Sequence, residues 1–184
     1  MDLKNRSIAG AFLFVGAAQY LLLITIASAR YPGYSLATNA ISDLGVGPTA
    51  LLFNASTAVF GAFVLIGALV GTRALGPRLA ATIAVAGICA IGVALFPETS
   101  GAPHSILALL AFVFGAVSAL ISFRFLRQPL ACFAAGLGII SLTALVLELT
   151  QHDLGIGKGG MERMVAYPIF IWLLGFGGSL MGAM

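Results

Sequence analysis

Hydrophobic residues fall into six long runs along this chain, at about 7–29, 49–72, 78–96, 104–123, 130–149 and 161–182. A membrane-spanning helix needs about twenty mostly apolar residues, and each run is near that length. Polar residues collect between the runs. The runs do not alternate as membrane strands do, and such strands would be only about ten residues long. In hydrocarbon every backbone donor must be paired within its own segment, which a helix achieves. The pattern predicts an all-α integral membrane protein: one six-transmembrane-helix bundle covering residues 1–184, ordered up and down. The first run is too long for a typical signal-peptide core and has no obvious cleavage site, so it is expected to stay as the first helix.

Composition supports a membrane class. The chain is 60% hydrophobic and 8% charged, with mean hydropathy +1.09, whereas soluble domains are about a quarter charged. No dense basic stripe exists, which argues against nucleic acid as a partner. Membrane lipids are the expected partners.

Charge placement sets the expected orientation. With six spans, Lys4, Arg6, Arg73, Arg78, Arg124 and Arg127 share one side, and Arg30, Lys158 and Arg163 lie on the other. Basic residues favour the cytoplasm, so both termini are expected there, in a multi-pass protein of the cell membrane. Asp2 goes with the termini, while Asp43, Glu98, His104, Glu148, His152, Asp153 and Glu162 fall on the outer side. Gly67 and Gly71 have the spacing of a helix-contact pair; a tight monomer and a small homo-oligomer both fit it. Cys89 and Cys132 lie inside apolar runs and read as small apolar residues.

The longest polar interruption is Thr38-Asn39-Ala40-Ile41-Ser42-Asp43-Leu44-Gly45-Val46-Gly47-Pro48. On a helical turn Asn39 would share a face with Ser42 and Asp43. These groups could cap backbone amides, bind a ligand, or do both. Glu98 and His104 flank the next outer loop, stiffened by Pro97 and Pro103. Glu148 and His152 are four apart, and would point the same way if the helix continued through both. Arg163 could pair with the outer carboxylates or hold a lipid phosphate. Together Asn39, Ser42, Asp43, Glu98, His104, Glu148, His152 and Arg163 outline an outward polar pocket for a lipid headgroup or small polar ligand.

Two alternatives remain. His104, His152 and Glu148 have the donor types of a divalent metal site such as zinc, which would make a lipid-directed hydrolase. Their spacing matches no established metal motif. A small proton-coupled transporter would need polar groups at mid-depth, and Ser118, Ser141 and Thr143 are the main ones there. Gly155 to Gly160 looks like a phosphate loop but lacks the preceding strand and the hydroxyl after Lys158. Asn54-Ala55-Ser56 is a glycosylation sequon placed inside a span.

Asn39-x-Ile41-Ser42-Asp43-Leu44-Gly45 after the first span, Phe96-Pro97-Glu98 with His104, and Glu162-Arg163 opening the last span carry a resemblance. Over nearly the whole chain it resembles a prokaryotic membrane family, DUF998, a domain of unknown function. More distantly it is similar to the Frag1/DRAM/Sfk1 group of lipid-associated membrane proteins, which have a like Ser-Asp loop. The resemblance implies a six-span fold and brings no activity with it.

Overall fold

The computed structural model describes residues 3–182, so Asp2 lies outside the described residues. Every regular element among them is helical. The helices are α1 (Leu3–Arg30), α2 (Ala50–Leu95), α3 (Ala102–Ser122), α4 (Leu130–Leu149) and α5 (Gly157–Met181). Among the described residues, these five are long and apolar enough to cross a membrane. Short 3-10 turns occupy Ser42–Gly45, Glu98–Ser100 and Phe123–Phe125.

The sequence predicts six helices, and the difference lies at residues 73–78. Where a loop is expected, helical geometry persists on both sides of one residue, Gly76, with φ 73° and ψ 156°. Only glycine adopts that backbone easily. Pro77 follows and lacks the N–H that a continuous helix would use. The two arms of α2 then pack on each other. A Cβ built on Gly61 would lie 2.7 Å from the Gly87 carbonyl oxygen and from the Ile91 nitrogen. In a straight helix Gly61 and Gly87 would be about 39 Å apart.

Helix α5 is the centre of the bundle. Its most apolar stretch is 56% buried, against 28–39% for the other helices. It packs on α1, α3 and α4. Contact with α1 is backbone to backbone: a Cβ on Gly177 would stand 2.7 Å from the Gly10 carbonyl oxygen. The Gly67–Gly71 pair also serves packing inside the chain, against Ala9 and Leu13 of α1. The polar residues expected at mid-depth join helices as well. Ser118 Oγ donates to Thr82 Oγ1 (2.8 Å), and Ser141 Oγ to the Val165 carbonyl (2.7 Å). Trp172 Nε1 donates to Ser122 Oγ (2.9 Å). Those hydroxyls join neighbouring helices within the bundle.

At one end of the bundle, Arg6 of α1 and Arg127 line a common cleft with Gln128 and Ser179. At the opposite end, segment 31–49 folds over the start of α5.

Candidate functional site

Segment 31–49 is held by α5 through the buried Arg163. Its Nη1 donates to the carbonyls of Leu36 (3.0 Å), Asn39 (2.9 Å) and Gly159 (2.7 Å). Its Nη2 donates to the Tyr34 hydroxyl (2.7 Å), which donates in turn to the Ala40 carbonyl (2.7 Å). The guanidinium also stands 5.6 Å from the centre of the Tyr34 ring. The Gly159 N–H adds a bond to the Ala37 carbonyl, 2.9 Å. Arg163 was expected to meet carboxylates or a phosphate. Its terminal nitrogens bond backbone carbonyls and a phenol and so position the segment, while its buried Nε has no partner among the described residues.

Within the segment, Asn39 and Asp43, expected to share a face, bond to each other. Asn39 Nδ2 and the Ala40 N–H both donate to Asp43 Oδ2, at 2.9 and 3.0 Å. Partial burial pushes the Asp43 carboxyl up, but the Asn39 amide, a hydrogen bond with the Glu98 carboxyl, the Lys158 charge and the Ala40 N–H outweigh it. The net effect holds Asp43 below the ordinary carboxylate range. A lowered folded value means stability that is present above the unfolded pKa and lost as pH falls through the folded one. Acidification below about pH 4 should therefore loosen segment 31–49. Amide exchange at Ala40 should rise in that range in the wild type, and Asp43→Asn should remove the pH dependence.

Glu162 precedes Arg163 and is equally enclosed. Its Oε2 accepts the Ile41 N–H at 2.6 Å, so α5 grips the segment a second time. Its side chain was not singled out as a site residue from the sequence. A carboxylate next to an arginine at the start of a span was the available signal, and it also fits an ordinary first-turn acid. Tyr34 gives no sharper signal, because tyrosine is ordinary at a membrane interface.

His104, in the first turn of α3, is buried. Its Nδ1 lies 2.8 Å from the Phe96 carbonyl oxygen. Glu98 sits in the adjoining 3-10 turn and pairs with Lys158 at 3.5 Å. That pair is largely exposed, which limits its worth to under about 1 kcal/mol. Glu148 is half-buried at the end of α4, within electrostatic reach of Glu162 and Lys158.

His152 does not join them. Helix α4 ends at Leu149, and Gln151 takes φ 60°, which turns the chain off the helical path. The exposed His152 ring instead contacts the Thr150 carbonyl (2.9 Å). Glu148 and His152 thus leave the shared face that an unbroken helix would give. Among the described residues no three His, Cys, Asp or Glu side chains gather as metal ligands. The trio His104, His152 and Glu148 is not brought together.

Beneath the segment runs a cavity of about 80 Å³. Ile41, Ser42, His104 and Glu162 line its mouth, and Phe60, Phe112, Phe170 and Trp172 line its depth. From Glu162 to Trp172 along α5 is about 15 Å. Of the eight predicted residues, Ser42 and His104 reach the cavity; Asn39, Asp43 and Arg163 build its roof.

The model of the family DUF998, described as a protein of unknown function, matches residues 14–178. The chain belongs to the DUF998 family. The matched region includes the roof, the mouth and the whole depth of the cavity. No curated protein and no solved structure matches the chain.

Proposed function

We infer that this DUF998 chain binds a single-chain amphiphile of the membrane, with the head at Ser42, His104 and Glu162 and the tail in the cavity below. One observation carries the reading. The cavity is mainly apolar, with Thr57 and Ser118 the neutral hydroxyls below the mouth, and among the described residues its ionisable lining groups besides Tyr20 are at the mouth, where His104 is 6% and Glu162 9% exposed. Burying such groups is costly unless they serve a structure or a ligand. The lining runs along α5 from Glu162 to Trp172, a rise of about 15 Å, which matches the length of one alkyl chain.

In this reading the two arms of α2 cross separately, giving six crossings. The cleft with Arg6 and Arg127 faces the cytoplasm, and segment 31–49 faces out, as basic residues favour the inner side. A membrane-impermeant maleimide should label Thr38→Cys in intact cells, in a background with Cys89 and Cys132 replaced by alanine. Arg127→Cys should react only after permeabilisation. The reverse pattern would overturn the orientation.

Trp172 is the single tryptophan and lines the cavity, so its emission reports occupancy. Adding a dodecyl amphiphile to the protein in phosphatidylcholine nanodiscs should shift that emission saturably. Ala108→Phe places a ring on the cavity wall one turn below His104. It should weaken the response at least about tenfold at a stability cost of about 1–3 kcal/mol, the range for a small-to-large change. An unchanged response in that variant would sink the reading.

A further inference from the structure

The hydrogen-bonding character of the mouth decides which head group fits, an inference that rests on the amphiphile reading above. His104 Nδ1 is 2.8 Å from the Phe96 carbonyl oxygen. A carbonyl only accepts, so Nδ1 carries the hydrogen, and Nε2 is the ring nitrogen left open to a ligand. Glu162 accepts the Ile41 N–H through Oε2. No other hydrogen bond to its carboxylate exists among the described residues. The second carboxyl oxygen of Glu162 is thus left open at the mouth, beside the His104 ring.

Glu148 and Glu98 act on Glu162 from α4 and from the 3-10 turn before α3. Asp43 stands beside Glu98. Of the two nearby cations, Lys158 is paired with Glu98. The terminal nitrogens of Arg163 bond Leu36, Asn39, Gly159 and Tyr34, and only its buried Nε is left without a partner among the described residues. A phosphate or carboxylate head would bring negative charge to negative charge. An ammonium head brings donors and the opposite charge.

We propose that the cavity selects a long-chain primary amine. Its ammonium bonds Glu162 and His104 Nε2, and its tail of about a dozen carbons fills the roughly 15 Å to Trp172.

The test titrates the full chain in phosphatidylcholine nanodiscs with dodecylamine, dodecanol, dodecanoic acid and dodecyl phosphate. Trp172 emission is read against each probe's concentration in the bilayer. Dodecylamine should bind at least about tenfold tighter than the alcohol, and at least about a hundredfold tighter than the acid or the phosphate. Glu162→Gln keeps an acceptor for Ile41 and should bring the amine to within about threefold of the alcohol. An acid or phosphate that matches the amine overturns the proposal, as does an amine preference that survives Glu162→Gln. Equal binding of all four probes removes the head-group selection and leaves the amphiphile reading standing. Failure of every probe to move Trp172 removes both.

Discussion

Replacing Arg163 with methionine is expected to destabilise the protein by about 3–5 kcal/mol, the range for removing one member of a buried charged network. The guanidinium is 8% exposed. It serves the carbonyls of Leu36, Asn39 and Gly159 and the hydroxyl of Tyr34. Methionine preserves the bulk of the stem and removes every donor. Each acceptor left dry costs about 1–3 kcal/mol. Relief from burying a charge offsets part of that sum, which is why the expected loss is smaller than four full penalties. Lysine should rescue little. Its ammonium is a compact point charge and cannot span acceptors arranged around a planar fork. Thermal unfolding in nanodiscs measures the loss, and amide exchange should place the earliest opening at residues 34–41. A methionine variant as stable as the wild type would show that segment 31–49 is held by something other than this arginine.

Gly159→Ala should cost at least about 3 kcal/mol, at the upper end for overpacking. The added Cβ would fall on the Asn39 carbonyl and lie 2.7 Å from the Leu36 carbonyl oxygen. Both obstacles are backbone, so no rotamer change relieves them. The same residue donates its N–H to Ala37 and its carbonyl to Arg163, so a shift that makes room also strains those bonds. Gly136→Ala is the control. It lies inside α4 with open space around it, and it should be neutral or stabilising by up to about 1 kcal/mol. Equal effects at the two positions would mean that helix propensity, rather than close approach, governs Gly159.

Both substitutions act on the cavity through its roof. Segment 31–49 carries Ile41 and Ser42 to the mouth, and α5 fixes where it sits. Loosening that grip should therefore weaken amphiphile binding even though neither Arg163 nor Gly159 touches the cavity.

How much of this was legible depends on sequence distance. Asn39 and Asp43 are four residues apart, and their bond could be anticipated from local geometry alone. Arg163 and its acceptors on Leu36 and Asn39 are 127 and 124 residues apart. A basic residue at a span end is equally compatible with a phosphate, a carboxylate or a carbonyl, so its real partners were invisible. His152 misled for a local reason: its place on the face of Glu148 required a helix that stops at Leu149. Gly76-Pro77 reads as a loop in sequence, yet one residue suffices for the reversal and the helical run closes around it.

The sequence by itself determined that this is a membrane-spanning all-helical chain, and roughly where its apolar segments begin and end. Transfer of apolar residues into hydrocarbon is a property of each segment, summed residue by residue. Tertiary structure alone decided that α5 becomes the hub, that Arg163 bonds the backbone of segment 31–49, and that Glu162 and His104 line one cavity. Those outcomes depend on which helix faces which, and glycine contacts such as Gly10 on Gly177 set that choice by letting backbones touch.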